Sequence, residues 1–407
     1  MCPPRAPEIT RRAPHVYHSA LSSNVIIHTI AEDTVTEREA TTDDEDVNSA
    51  EDQSDEDQSQ SDDGNKTEVL DELDDLFALL AQQRRGETLF AQEMQKPDED
   101  IDLAKAAMYV AMHRRPDEAR VDDAVEELDQ LAAELEKTLP PPEDRFPLRT
   151  LKAISRYMFD TLEFKGNAEE FYDPRNSCLD EVLARRTGIP ITLSLVYMEL
   201  AKRVGVPMVG VNLPAHFMIR PVVEDMEVLV DCFNDGELKF VEDVEDMLRK
   251  FYTMGEADKL TIDRSFFTDN SVKPRAFLTR LLTNLKQIYF NDDEFGAALQ
   301  IVAYQSHCAP DDKVALFNRR DGGICLFLMQ RYEEALEELT GFVNDAEVEG
   351  VWEGNDGDTS KAQIVQMIDH AKTQVARESV KRIVEGALGQ SDSMLVESDD
   401  DEDAAAK

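Results

Sequence analysis

Residues 171–236 read FYDPRNSCLDEVLARRTGIPITLSLVYMELAKRVGVPMVGVNLPAHFMIRPVVEDMEVLVDCFNDG, and the parsing of this stretch decides the fold. Pro190 suits the first turn of a helix, where a missing N–H costs no hydrogen bond. From Ile191 to Val204 the apolar residues Leu193, Leu195, Val196, Met198, Leu200 and Ala201 cover most of a helical circumference, so this helix is expected to be buried and central. Gly205 ends it. Three short β-branched and apolar runs follow, Met208–Asn212, His216–Val222 and Glu227–Phe233, with VED as a hairpin turn between the last two. Just upstream, Leu179–Arg186 reads as a short helix closed by Gly188.

Working outward, three more helices precede the stretch. IDLAKAAMYVAMHRR (Ile101–Arg115) is apolar nearly all round, with Asp98 or Asp100 placed to cap it. Arg120–Leu139 repeats the helical period until Pro140, Pro141 and Pro142 stop it, and Leu148–Leu162 is the third helix. Downstream, the pattern is helical from Lys273. EFGAAL (Glu294–Leu299) and RYEEAL (Arg331–Leu336) match in register 37 residues apart, which is close to the tetratricopeptide period. Two such units fall short of a free-standing array, so they are expected to dock on the core. Thr359–Leu388 is one further helix.

The formal net charge of −43 is concentrated outside these elements. Residues 31–80 hold twenty acids against two bases, and residues 392–403 hold seven acids and no base. Such tracts bury too little apolar surface to offset chain entropy and are expected to be disordered. Within Thr67–Gln83, Val69, Leu73, Leu76 and Leu80 recur at helical spacing. This marks either an acidic docking helix or an extra helix packed on the domain. The charge balance excludes general nucleic-acid binding, which needs a basic patch. No apolar run is long enough to span a membrane, and no signal-peptide core is visible. Residues 1–30 carry Arg5, Arg11 and Arg12 with Glu8, a composition shared by transit peptides and plain disordered N-termini, and the second reading is taken. Five cysteines, odd in number and without a CxxC pair, fit free thiols in a reducing intracellular compartment, with the cytoplasm expected over an organelle.

The polar constellation centres on His216 and Asp231. Directly opposed antiparallel residues share a face. A hairpin pairing 220 with 227 therefore brings 216 to 231 and gives the second half of a Cys–His–Asp triad. A slip by one residue brings His216 to Cys232 instead, a thiol–imidazole dyad. The bland alternative is a buried His–Asp hydrogen bond that merely satisfies two polar groups. Cys178, at a helix start, is either an activated thiol or a small core residue. Asp173, Arg175 and Asn176 form a polar knot that reads equally as turn chemistry and as a pocket lining. No metal-ligand spacing, P-loop or GxGxxG occurs, so no cofactor is expected.

Taken together, DEDIDLAKAAM, FKGNAEEFYDPRNS, RRTGIPITLSLVYMELAKRVGVP, GVNLPAHFMIR, VDCFNDG and RAFLTRLLTNLKQIY resemble, in order from Leu89 to Val343, the SirB-type transglutaminase-like family. The resemblance implies a helical N-terminal segment, a transglutaminase-like (papain-like) core and a tetratricopeptide-like C-terminal segment. Enzymes of the wider superfamily place a Gly-x-Cys nucleophile where this chain has Gly188-Ile189-Pro190, so Pro190 stands at the nucleophile position. His216 and Asp231 match the triad's other two members. Cys178, Cys232 and Ala215 depart from the family pattern, in which GIPI recurs.

The expected fold is α+β and mostly helical. It comprises a disordered acidic tail with a possible short helix (1–85), a helical segment plus transglutaminase-like core with a small antiparallel sheet (89–255), tetratricopeptide-like helices (273–346), a C-terminal helix (359–388) and a second acidic tail (389–407). The expected function is a non-catalytic interaction or regulatory module that meets protein partners through its repeats or acidic tail, and neither nucleic acid nor membrane. Binding would involve Asp173, Arg175, Asn176 and His216. The alternative is a cysteine-dependent hydrolase or acyltransferase using Cys178 or Cys232 with His216 and Asp231.

Overall fold

The computed structural model describes residues 81–82, 84–213, 216–223, 226–249, 271–308, 312–352 and 357–396. The acidic tract at 31–80, most of the Thr67–Gln83 segment and the C-terminal acids from 397 lie outside the described residues. The chain divides into two compact units, residues 1–292 with 303–310, and residues 293–302 with 311–407.

The first unit carries helices α1 (84–93), α2 (Leu103–Ala111), α3 (Ala119–Glu136), α4 (Pro147–Ser155), α5 (Leu179–Arg185), α6 (Pro190–Arg203), α7 (Val241–Arg249) and α8 (Pro274–Asn291). Its sheet has five antiparallel strands in the order β6-β5-β4-β3-β7: β3 is Met208–Leu213, β4 His216–Pro221, β5 Leu229–Asp231, β6 Glu237–Lys239 and β7 Ser271–Val272. A separate parallel pair joins β1 (Lys165–Gly166) to β2 (Thr187–Gly188).

The central helix is α6, as its all-round apolar pattern requires. Every residue from Ile191 to Ala201 is buried, and α6 packs on α3, α4, β3 and β4. Two of its polar members are paired: the Tyr197 hydroxyl donates to the Leu151 carbonyl at 2.8 Å, and Glu199 pairs with Arg203 one turn on. Burying a side chain such as Leu193, Leu195 or Leu200 is worth about 1.5–3 kcal/mol. One sheet face carries Val211, Leu213, Met218 and Leu229 against Val244 and Leu248 of α7. On the other face, Phe217 packs edge-on to Phe277 of α8 at 5.3 Å. Gly210 opposite must lack a side chain, because a Cβ there would come 2.5 Å from the Phe217 ring.

The structure departs from the sequence reading at several ends. Asp102, rather than Asp98 or Asp100, caps α2 by accepting from the Lys105 amide at 3.0 Å. The helix expected over Leu148–Leu162 is α-helical only to Ser155 and continues as a π-type turn over Arg156–Thr161. Gly188 does not close α5. Arg186 does, in the left-handed region (φ 53°), and its guanidinium lies 4.8 Å from the centre of the Phe164 ring and 2.9 Å from Glu127. Cation–π and ion-pair contacts offset the small strain of that conformation.

The second unit holds α10 (Asp312–Leu328), α11 (Tyr332–Val348) and α12 (Gly357–Val396), each packed on the next. α9 (Phe295–Cys308) begins in this unit and ends in the first. The core of α11 is Ala335, Leu339, Phe342 and Ala346. The chain's single tryptophan, Trp352, packs edge-on to Phe342 at 5.6 Å, with the Lys361 ammonium of α12 6.0 Å from the centre of its ring.

Candidate functional site

His216 opens β4 and Asp231 closes β5, so both lie at one end of the sheet. The pairing of Ile219 with Val230 sets the register. It is offset by two residues from the register that joins 220 to 227, and places Asp231 across from Met218. An offset of two preserves side-chain parity, so His216, Met218 and Asp231 still share a face. The imidazole Nε2 accordingly donates diagonally to Asp231 Oδ1 at 3.0 Å.

Asp231 is almost completely buried and accepts four hydrogen bonds. Besides His216, its Oδ1 takes the amides of Phe233 (3.2 Å) and Asn234 (3.3 Å), and its Oδ2 takes the Asn234 side-chain amide at 2.7 Å. Burial pushes this carboxyl upward, but the His216 and Asn234 contacts outweigh it and hold the group below its usual range. The carboxylate fixes the proton on Nε2, which leaves Nδ1 without a protein partner among the described residues. The side chain of His216 is 14% exposed.

The main chain of His216 is held as well. Arg280 of α8 donates to the His216 carbonyl at 3.0 Å and to Asn212 Oδ1 at 2.7 Å, with its guanidinium 5.2 Å from the centre of the Phe217 ring. This clasp was missed by the sequence reading. Its only trace there is one arginine of an amphipathic helix, 64 residues from the histidine.

The start of α6 lies at the same end of the sheet. Gly188 pairs with Gly166, and a Cβ on Gly166 would meet the Phe233 ring at 2.7 Å. Phe233 in turn follows Asp231 by two residues and hydrogen bonds to it. Pro190, in the first turn of α6, therefore occupies the helix start beside the His–Asp pair and offers no nucleophilic atom. Thr192 ties this start to the upstream loop: its hydroxyl accepts from the Ile189 amide (3.1 Å) and donates to the Asn176 carbonyl (2.7 Å).

Neither cysteine faces His216 as a dyad requires. Cys232, one residue beyond Asp231, takes the opposite side, against Ser194 of α6. The pairing of Ile219 with Val230 is not the slipped register that would set Cys232 across from His216. Cys178 caps the start of α5, and its thiol points to the Pro174 carbonyl at 3.5 Å. Both sulfurs are fully buried, and burial pushes both thiols far above the free-cysteine range.

The polar knot is satisfied from within. Asn176 is completely buried; its side-chain amide donates to the Glu170 carbonyl (2.7 Å), and its oxygen accepts from Asn167 and Arg185, each at 3.2 Å. Asp173 accepts from the Arg175 amide at 2.9 Å and pairs with the Arg175 guanidinium at 2.7 Å. Burial raises the Asp173 carboxyl, but these bonds outweigh it and hold it low. Among the described residues no cluster of His, Cys, Asp and Glu could hold a metal ion, and no helix is long and apolar enough to cross a membrane.

Residues 122–283, which contain Pro190, His216, Asp231 and Arg280, match the transglutaminase-like superfamily. A UPF0162 protein of Xylella fastidiosa (strain Temecula1) is 32% identical over 250 residues, covering 60% of this chain and 84% of that protein. The F-box only protein 21 of Homo sapiens is 27% identical over 187 residues, 39% of this chain and 30% of that protein. No solved structure matches the chain significantly. With a shared core, a full-length relative above 30% identity and the His–Asp frame in place, the chain belongs to the UPF0162 protein family.

Proposed function

We propose that the transglutaminase-like core, of the SirB type, is a recognition module in which the triad frame binds without forming a covalent bond. The observation that carries this reading is Pro190 at the start of α6, beside a His216–Asp231 pair whose geometry remains in order. A thioester needs a sulfur at that helix start, and the two thiols in the surrounding stretch are buried and raised. What is left is an imidazole locked in one tautomer, with its free Nδ1 suited to accept an N–H from a bound peptide. The helices from 273 to 346 act with this core as a tetratricopeptide-like protein-binding appendage, and the Asp173–Asn176 knot supports the site from below.

The alternative, a hydrolase or acyltransferase built on Cys178 or Cys232, draws its support from the intact His–Asp pair. Iodoacetamide labelling of the native protein across pH separates the two. The recognition reading expects slow labelling of both thiols, with His216→Ala making no difference. Fast, pH-dependent labelling of either cysteine that disappears in His216→Ala would sink it.

A further inference from the structure

Two loops meet beside the His216–Asp231 pair. The loop over 167–175 and the turn after Asp231 are joined by Phe171 and Phe233, whose rings stand edge-on 6.0 Å apart. Tyr172 packs edge-on to Phe171 at 5.3 Å and leaves 63% of its own surface exposed. Glu169 and Glu170, just before Phe171 in the same loop, and Asp235, in the turn after Asp231, are exposed, and none of them forms an ion pair among the described residues. The ledge is also rigid. The Glu170 amide donates to Asn167 Oδ1 at 2.9 Å and its carbonyl takes the buried Asn176 side chain, so no loop ordering opposes binding.

The nearby cations do not cancel this charge. Arg175 is already committed to Asp173. Lys165 is exposed and forms no ion pair among the described residues, a single charge against those three carboxylates. A single exposed ring also selects among cations. A quaternary ammonium prefers a cage of several rings, whereas a flat guanidinium stacks on one face and uses its edge for carboxylates.

We propose that the Tyr172 ledge receives an arginine side chain of a partner peptide, with the guanidinium stacked on Tyr172 and paired to Glu169 or Glu170, so that the adjoining backbone passes over His216. This rests on the non-covalent reading of the His216–Asp231 site and names the chemistry of its partner. Nucleic acid and anionic membrane are disfavoured occupants, since the ledge and the chain as a whole are negative.

The test uses the full chain and a fluorescein-labelled Gly-Arg-Ser-Gly-Arg-Gly peptide, titrated by anisotropy at about 0.15 M salt to screen the acidic tracts at 31–80 and 392–403. Tyr172→Ala is expected to weaken binding about 3-fold, Tyr172→Phe to leave it near wild type, and Glu169→Gln with Glu170→Gln to weaken it about 5- to 10-fold. The matching lysine peptide should bind several-fold more weakly. Equal binding by wild type and Tyr172→Ala would overturn the ledge, since charge alone would then hold the peptide. Cleavage or covalent change of the peptide, seen by mass spectrometry, would instead overturn the non-covalent reading beneath it, whatever Tyr172→Ala does.

Discussion

Two histidines of the first unit, His216 and His113, sit in opposite settings. His216 stands at the open end of the sheet with a buried carboxylate on Nε2. His113, just after α2, is 5% exposed. Its Nδ1 donates to the Val110 carbonyl at 2.6 Å, and its Nε2 accepts from the Tyr289 hydroxyl at 2.6 Å. That hydroxyl in turn accepts from Arg114 at 3.3 Å. Burial pushes His113 down to about 4, and the Arg114 charge pushes the same way. The contrast lies in the partner on Nε2: a buried carboxylate for His216 and a hydroxyl for His113.

The sharpest way to break this contrast is pH. The unfolded chain protonates His113 near 6.5, while the folded chain resists until about 4. Stability should therefore fall as pH drops through that window, by about 3 kcal/mol once pH is below 4. Urea midpoints measured from pH 7 to 4 should show this slope, and His113→Phe should flatten it whatever its own baseline stability. An unchanged slope in that variant would place the acid sensitivity elsewhere.

Asp231→Asn is next in size. It keeps the shape but turns an acceptor of four hydrogen bonds into a group that cannot take them all, with an expected loss of about 2 kcal/mol in urea unfolding. Because the Asp231 carboxyl is held low, its contribution is present above the ordinary carboxylate range and lost as pH falls through the lowered value. The variant's deficit should accordingly be largest at neutral pH. Tyr289→Phe removes the donor to His113 Nε2 and should cost about 1–2 kcal/mol while leaving His216 signals unmoved in NMR spectra. Arg280→Lys should have the smallest effect on stability, about 1 kcal/mol or less. It should nevertheless shift the His216 ring resonances, because one ammonium cannot reproduce both hydrogen bonds and the stack on Phe217.

Much of this was legible in the sequence, for reasons that can be named. The all-round apolar run from Ile191 and the proline before it specify a buried central helix with little dependence on context. The His–Asp contact was legible through parity rather than register: an error of two residues in the hairpin left both side chains on one face. The outer strands were not legible. β6 and β7 are three and two residues long, too short for alternation to register, and exist because β5 and β3 offer them an edge. Arg280 was invisible because its role comes from helix packing on Phe217, and no local pattern encodes a contact across that span. Arg186 misled because a left-handed helix end is ordinarily glycine's place, and here the Phe164 ring and Glu127 make an arginine tolerable.

The lone tryptophan turns the second unit into its own optical gauge. Trp352 touches Phe342 of α11 and lies beneath Lys361 of α12, so its emission reads the seating of that last long helix and nothing in the sheet. Intrinsic fluorescence and far-ultraviolet dichroism then observe different parts of one molecule. A melt followed by both signals at once would time the release of α12 against the collapse of the α6 core, with no label added.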